Sequence, residues 1–186
     1  MSDSERLQQI ESDTWNVLAR AVVDKPSPLR WFTFATVSPE GQPEARTVVL
    51  RAFDRASRRL TLYSDRRAAK IRALEQNPKA ECHFFDSRQM LQFRLSGTAK
   101  LLTEGPRWKA LFEKLPDHAL TDYAALNAPG TPGSDQSASG LAEENFTVVD
   151  MTIAELDWLS LSREGHQRAR YKWVDGGDCT AHFVVP

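Results

Sequence analysis

The stretch WFTFATVSPEGQPEARTVVLRAFDRASRRLTLYS, residues 31–64, sets the fold of this chain. It contains three runs rich in aromatic and β-branched residues, which favour β-strands: Trp31 to Val37, Glu44 to Phe53 and Arg59 to Ser64. Turn-forming residues separate the runs, and Ser38 to Gln42 is the clearest of these turns. Strand-like runs joined by tight turns predict β-hairpins.

The rest of the chain continues this pattern, with helices inserted between some of the strands. Further strands are predicted at Lys79 to Phe85, Gln89 to Leu102, Phe146 to Met151, Glu155 to Ser162, His166 to Trp173 and Thr180 to Val185. Helices are predicted at 4–23, at 66–76, from Pro106 onward and at 119–126. Because most strands follow one another without a helix between them, we expect a mainly β fold, β with inserted α. Closing such an antiparallel sheet into a barrel removes its exposed edges.

The length and composition are those of an ordinary globular chain. Its 186 residues suit one domain over 1–186, with an N-terminal helix at 1–25. A flexible loop is expected at 127–140, which lacks large apolar side chains. No apolar run approaches the ~20 residues that span a bilayer, so we expect no membrane partner.

Charge and cysteine content restrict the function further. The net charge is −1, which argues against a general affinity for nucleic acid. Cys82 and Cys179 are too few for a disulfide framework, so we expect a cytoplasmic location. The histidines show no metal-ligand spacing, and no metal site is predicted.

Positive charge is concentrated in residues 46–72. This stretch contains nine Lys or Arg and two Asp residues, so it carries about +7 while the rest of the chain carries about −8. Ser64 ends a strand, and Arg66, Arg67 and Lys70 follow in the first turns of a predicted helix. A helix N-terminus flanked by cations and a hydroxyl suits a phosphate group. The alternative is a solvated basic helix face.

Strand alternation in Arg46 to Arg51 places apolar side chains beside arginines. Arg46, Val48 and Leu50 share one face, and Thr47, Val49 and Arg51 share the other. Such a strand can hold a flat apolar ring with an anionic tail. Gln92 can bond the polar edge of that ring or face solvent. Trp158 precedes a basic and aromatic cluster, His166 to Tyr171, whose alternative roles are core packing for Trp158 and surface charge for the cluster.

At these residues the sequence resembles the pyridoxamine 5′-phosphate oxidase family of FMN-binding split β-barrels. The resemblance covers residues 28–102 well and 155–173 more loosely. Arg46 to Arg51 is similar to the family's first FMN segment, and Tyr63-Ser64 to its Tyr-Thr pair. Lys70 is similar to the second residue of its Arg-Lys phosphate pair.

Three later residues add to the resemblance. Gln92 matches a glutamine that contacts the flavin in this family. Trp158 and Arg168, ten residues apart, match a Trp and an Arg that reach the flavin of the partner subunit. Matches in the same order with similar gaps make the resemblance specific.

The resemblance implies FMN as the cofactor, a six-stranded antiparallel split β-barrel with peripheral helices, and a homodimer with FMN at the interface. It also implies the cofactor-binding residues Arg46, Thr47, Val48, Val49, Arg51, Tyr63, Ser64, Arg67, Lys70, Gln92, Trp158 and Arg168. The resemblance assigns no catalytic residue.

The chain departs from the family pattern mainly where a vitamin substrate would bind. Ala69 replaces the Arg of the phosphate pair, and Arg66 or Arg67 can compensate for it. The family's Arg-x-His pair reads Glu164-Gly165-His166 here, and its Tyr, Arg and Ser phosphate cradle reads Ala110, Lys114 and His118. We therefore expect an FMN-binding oxidoreductase acting on an unknown small molecule.

Three alternatives stay open. The chain can be a flavin-binding or flavin-sensing protein without turnover. It can be a genuine pyridoxamine 5′-phosphate oxidase. It can also be a split-barrel relative that uses haem or a deazaflavin.

Overall fold

The computed structural model describes residues 1–133, 137, 141–174 and 178–186. Its strands are β1 Trp31–Val37, β2 Pro43–Val49, β3 Ala52–Asp54, β4 Arg59–Asp65, β5 Lys79–Asp86, β6 Leu91–Leu102, β7 Phe146–Ser160, β8 Gln167–Trp173 and β9 Cys179–Val184. Its helices are α1 Asp3–Val23, α2 Ala69–Gln76, α3 Pro106–Phe112, α4 Asp117–Leu120 and α5 Ala142–Asn145, and Pro28–Arg30 forms a 3-10 turn. The mainly β expectation is confirmed.

All nine described strands join one antiparallel sheet, whereas the family resemblance implied a barrel of six strands. The strand order is β2-β1-β5-β6-β7-β4-β3, and β8 and β9 extend the sheet from β7. The sheet is not a closed barrel, because β2 and β3 stand at the two ends of this order. The sequence predicted one continuous strand from Glu44 to Phe53, but the strand is interrupted at Leu50 and Arg51, so β2 and β3 are separate strands.

Strand β7 accounts for much of the difference between the expected and observed sheets. The sequence predicted two strands in this region, but one strand of 15 residues runs from Phe146 to Ser160. Its first half, Phe146–Thr152, pairs with β4, and its second half, Glu155–Ser160, pairs with β8 on the same edge. One long strand therefore connects two groups of strands that lie end to end.

Helix α1 begins and ends close to the predicted bounds. The Ser2 hydroxyl accepts a hydrogen bond from the Glu5 N–H, and the Glu5 carboxylate accepts one from the Ser2 N–H. The helix buries an apolar stripe that includes Leu18 and Trp15. The Trp15 ring lies with its centroid 5.4 Å from that of Phe53, so α1 covers one side of the sheet.

The connection between β6 and β7 forms a second, smaller core. Trp108 of α3 stacks on Phe112 and donates its indole N–H to the Phe146 carbonyl. Tyr123 packs edge-on against Phe146 on the other side. The expected loop at 127–140 lies only partly in the described structure, because 134–136 and 138–140 fall outside the described residues.

The face of the sheet opposite α1, called here the outer face, runs across seven strands. The register places one row of side chains along it: Val49, Trp31, Phe85, Gln92, Leu159, Arg168 and Val184. A second row follows: Thr47, Thr33, His83, Arg94, Asp157, Arg170 and His182. Trp31 is 58% exposed and Phe85 is 41% exposed, so the first row leaves an apolar strip uncovered.

Candidate functional site

Ser64, Lys70 and Arg46 lie on β4, α2 and β2, and β2 and β4 approach each other although they belong to opposite ends of the strand order. Ser64 lies near the end of β4 and is buried, and Lys70 lies in the first turn of α2. The Lys70 ammonium donates a hydrogen bond of 3.2 Å to the Ser64 hydroxyl. Arg46 of β2 is close enough to lower the pKa of Lys70 by repulsion. Ser64 and Lys70 are therefore in contact, and the positive charge of Arg46 acts on Lys70.

Lys70 is the cation of this cluster that has no ion-pair partner within 4 Å among the described residues, whereas Arg46 is paired with Glu44. Burial lowers the pKa of Lys70 and the Arg46 guanidinium lowers it further, while Asp65 opposes this effect. No side chain caps the first turn of α2, and the Ile71 N–H already donates to the Ala68 carbonyl, so the N–H groups available to a ligand in the described structure are those of Ala69 and Lys70. An anion bound here would relieve the repulsion and accept those hydrogen bonds. The residues present therefore fit a phosphate group.

Neighbouring strands fix the position of Arg46. Its guanidinium donates to the Phe34 carbonyl at 3.2 Å and to the Thr36 hydroxyl at 2.8 Å. Its other terminal nitrogen lies 2.7 Å from the Glu44 carboxylate. Because β1 and β2 supply these partners, the guanidinium is oriented before any ligand binds.

The structure does not bring Arg67 into this cluster. Helix α2 begins at Ala69 rather than at 66, so Arg66 and Arg67 precede the helix instead of lying in its first turns. The Arg67 guanidinium pairs with Asp65 at 2.7 Å and donates to the carbonyls of Ala125 and Leu126. Its contacts therefore fasten the β6–β7 connection.

Arg51 and Tyr63 lie together at the break between β2 and β3. The Arg51 guanidinium carbon is 5.3 Å from the centroid of the Tyr63 ring. Burial raises the pKa of Tyr63, and the positive charges of Arg51 and Arg107 oppose that rise. The Arg51 N–H donates to the Thr61 carbonyl at 2.9 Å, which ties this end of β2 to β4.

The remaining residues of the predicted first segment occupy both faces of β2. Val48 is half-buried and packs against the main core. Thr47 and Val49 lie on the outer face, where Val49 pairs with Trp31. Gln92 also lies on that face, and its amide oxygen is 3.1 Å from Nε2 of His83.

Trp158 and Arg168 do not come together. Trp158 pairs with Phe93 and Ala169 and packs against the main core, on the side of α1. Arg168 pairs with Leu159 on the outer face. The side chain in contact with Arg168 is Asp157, which accepts hydrogen bonds of 2.8 and 2.6 Å from that guanidinium.

The sequence interpretation missed Asp157, although a signal for it was present. In Glu155 to Trp158, polar and apolar residues alternate, and Leu156 shares its apolar phase with Trp158. That alternation predicts that Trp158 lies on the face of the sheet toward α1 and that Asp157 lies on the outer face. The sequence interpretation chose Trp158 instead, because Trp158 and Arg168 are ten residues apart as in the family.

Comparison with known proteins identifies the class. Residues 12–103 match the family model described as pyridoxamine 5′-phosphate oxidase, FMN-binding domain. A pyridoxine/pyridoxamine 5′-phosphate oxidase of Microcystis aeruginosa is 37% identical over 111 residues, which are 60% of this chain and 51% of that protein. Pyridoxine/pyridoxamine 5′-phosphate oxidase 2 of Arabidopsis thaliana is 31% identical over 91 residues, 47% of this chain and 46% of that protein. The chain spans about half the length of the curated relatives it matches.

Two solved structures share the fold over most of the chain. A pyridoxamine 5′-phosphate oxidase-related, FMN-binding protein of Nostoc punctiforme has a TM-score of 0.78 at 25% identity and covers 92% of this chain and 96% of that one. PhzG of Burkholderia lata has a TM-score of 0.74 at 19% identity, and the match covers 94% of this chain and 91% of that one. At this identity the likeness shows the fold alone.

The fold and the matched domain define an FMN-binding protein of the split-barrel type. Residues 12–103, just under half of the chain, match the FMN-binding domain of the pyridoxamine 5′-phosphate oxidase family, and FMN is the cofactor of that domain. The expected family, fold and cofactor are thus confirmed. No helix in the described residues is long and apolar enough to cross a membrane.

Proposed function

We propose that the chain is a homodimeric, FMN-dependent oxidoreductase that acts on a small molecule. The observation that carries the proposal is the cluster of Ser64, Lys70 and Arg46, which fits the FMN phosphate. Each charge-assisted hydrogen bond to a phosphate oxygen contributes roughly 1.5–3 kcal/mol. Arg67 is left out of this phosphate site because its guanidinium contacts Asp65 and the β6–β7 connection, whereas the charge of Arg46 acts on Lys70.

Other residues along β2 and on the outer face would meet the flavin ring. The backbone of Val48 and Val49 is the proposed support for the ring, and Thr47 and Gln92 lie on the outer face beside it. Arg51 follows the end of β2, and its guanidinium lies over the ring of Tyr63 on β4. These two residues are proposed to border the side of the flavin ring where the substrate binds. FMN, when bound, supplies the electron transfer, and the protein orients it and adjusts its electrostatics.

The apolar strip on the outer face supports a homodimer with FMN at the interface. Seven strands at a spacing of about 4.8 Å form a face about 30 Å wide, which is enough for an interface of about 800 Å² per partner. The strip exposes the large side chains of Trp31 and Phe85. Arg168 lies in the same row and is the proposed contact with the flavin bound mainly by the second copy. We further propose a cytoplasmic location, which agrees with the exposed free thiol of Cys179.

The phosphate assignment is tested by Lys70→Glu. Purified protein is expected to be yellow and to release FMN on denaturation. Lys70→Glu should lose FMN, because it replaces a phosphate partner with a carboxylate of like charge. The matched control is Lys25→Glu, an exposed lysine just after α1. Retention of FMN by Lys70→Glu at the affinity of the parent would contradict the assignment.

A second experiment separates turnover from binding alone. The full chain with FMN is mixed rapidly with NADH or NADPH and then with oxygen, and the visible spectrum is followed. Reduction and reoxidation support an oxidoreductase, whereas a flavin that no donor reduces indicates a binding or sensing protein.

Pyridoxamine 5′-phosphate oxidase activity is the second candidate, because the curated relatives carry that name. The positions that would form the substrate-phosphate cradle, Ala110, Lys114 and His118, are all exposed. Because Ala110, Lys114 and His118 replace the Tyr, Arg and Ser of the family's cradle, we expect little pyridoxal phosphate to form when the protein is incubated with pyridoxamine 5′-phosphate and oxygen.

A further inference from the structure

Three arginines on the outer face share one carboxylate, that of Asp157. Arg168 binds it through Nε and Nη2 at 2.8 and 2.6 Å. Arg94 donates to the same carboxylate at 2.8 Å, and Arg170 lies 3.4 Å from it. The Asp157 side chain is 14% exposed, whereas the side chains of Arg94 and Arg170 are 38% and 53% exposed.

This arrangement holds Asp157 ionised. Burial by itself would raise the pKa of Asp157, but the hydrogen bonds from Arg168 and Arg94 outweigh burial and lower the pKa to about 2. The three guanidinium groups and the one carboxylate leave an excess of positive charge. Glu81 lies 3.6 Å from Arg94 and offsets part of that excess.

The two-point contact fixes the plane of the Arg168 guanidinium. A guanidinium bound through Nε and one terminal nitrogen can no longer rotate freely, and its other terminal nitrogen points away from the carboxylate. Among the described residues, Nη1 of Arg168 has no hydrogen-bond partner. It is therefore the part of the side chain that is free to bind a ligand.

We propose that Asp157 is a positioning residue that orients Arg168, assisted by Arg94, toward the flavin at the dimer interface. The proposal rests on the proposed function, which places Arg168 at that flavin. It assigns to Asp157 the outward position on β7 next to Arg168, whereas Trp158 is partly buried and packs against the main core. Asp157 itself does not touch the cofactor; it acts through Arg168.

A double-mutant cycle tests whether Asp157 acts through Arg168. FMN affinity is measured by equilibrium titration for the parent, Asp157→Asn, Arg168→Ala and the double variant. We expect Arg168→Ala and Asp157→Asn each to weaken FMN binding about tenfold. Asp157→Asn should add little in the Arg168→Ala background, because the side chain it orients is already gone. A purely structural role would give the same loss in both backgrounds.

Glu155→Gln is the matched control. Glu155 lies two residues from Asp157 on the same face of β7 and pairs with Lys172 at 3.0 Å. Its substitution should leave FMN affinity unchanged. If Asp157→Asn does not fold, the cycle is run with Asp157→Glu, which keeps the charge but shifts the carboxylate. This variant should show a smaller loss that again depends on Arg168.

The outcomes distinguish this inference from the proposed function. If Arg168→Ala weakens FMN binding and Asp157→Asn has no effect or an additive one, the positioning role is wrong and the flavin role of Arg168 stands. If Arg168→Ala leaves FMN affinity unchanged, Arg168 is not at the flavin and the positioning role is overturned with it. The phosphate assignment is judged separately by Lys70→Glu.

Discussion

At the scale of single residues, the charge on Lys70 links cofactor binding to pH. Burial and the neighbouring Arg46 lower the pKa of Lys70 below its usual 10.5 in the free protein. The ammonium is therefore lost at a lower pH than in an ordinary lysine, and the FMN phosphate then loses a cationic partner. FMN affinity should fall as pH rises through this lowered pKa.

Lys70→Arg provides the check on that prediction. A guanidinium stays charged across the accessible pH range, so the alkaline decline in FMN affinity should disappear or shift to higher pH in this variant. The measurement is FMN affinity from neutral to alkaline pH for both proteins. The same decline in parent and variant would show that another group, such as the flavin itself, causes it.

Residue types and spacing were sufficient to predict that Lys70 and Ser64 lie together, but they did not indicate the direction of the Arg67 side chain. Lys70 and Ser64 each match a position in a family motif, and the structure brings the two side chains into contact. Arg67 lies equally close in sequence, but its direction is set by Asp65 and by carbonyls about 60 residues away, at Ala125 and Leu126. A contact of that sequence separation leaves no local pattern in the chain.

At the scale of elements, the β-bulge in β6 makes a specific stability prediction. Ser96 is opposite Glu155 while Gly97 is opposite Ile153, so the register shifts between them. A Cβ on Gly97 would collide with the backbone carbonyl of Thr152, which cannot move without disturbing β7. Gly97→Ala should therefore lower the free energy of unfolding by about 3 kcal/mol.

Urea denaturation of the full chain measures this loss. Ser96→Ala is the control, because it removes only a hydroxyl that donates to Glu81 at 3.0 Å and leaves the bulge intact. Its effect should stay near 1 kcal/mol or below. A Gly97→Ala variant as stable as the parent would show that the two strands separate more easily here than the backbone contact implies.

The strands themselves were largely predictable, but their continuity was not. Alternation and β-branched residues marked nearly every strand segment, including Glu155 to Ser160. Continuity through Ile153 and Ala154 depends on pairing with β6, which spans both halves of β7. Likewise, β2 ends at Val49 because the next two backbone N–H groups bond outside the β1–β2 ladder. The Leu50 N–H donates to the Arg30 carbonyl, and the Arg51 N–H donates to the Thr61 carbonyl. Such tertiary hydrogen bonds have no signature in the local sequence.

At the scale of the whole molecule, the proposed dimer depends on the apolar strip of the outer face. Trp31 pairs with Val49, and it and Phe85 of the neighbouring strand β5 are the large exposed side chains of this strip. Trp31→Glu places a charge in the proposed interface, where desolvating an unpaired carboxylate is costly. We expect the parent to be a dimer and Trp31→Glu to be a monomer. FMN should be bound more weakly by that monomer, because the flavin loses the residues of the second copy.

Sedimentation velocity with and without FMN measures both effects together. Val23→Glu is the matched control, since Val23 is 78% exposed at the end of α1, away from the outer face. Its sedimentation coefficient and FMN content should match those of the parent. A Trp31→Glu dimer that retains FMN would place the interface elsewhere on the molecule. A monomeric parent that still binds FMN tightly would show that one copy completes the flavin site, and Arg168 would then have no role across an interface.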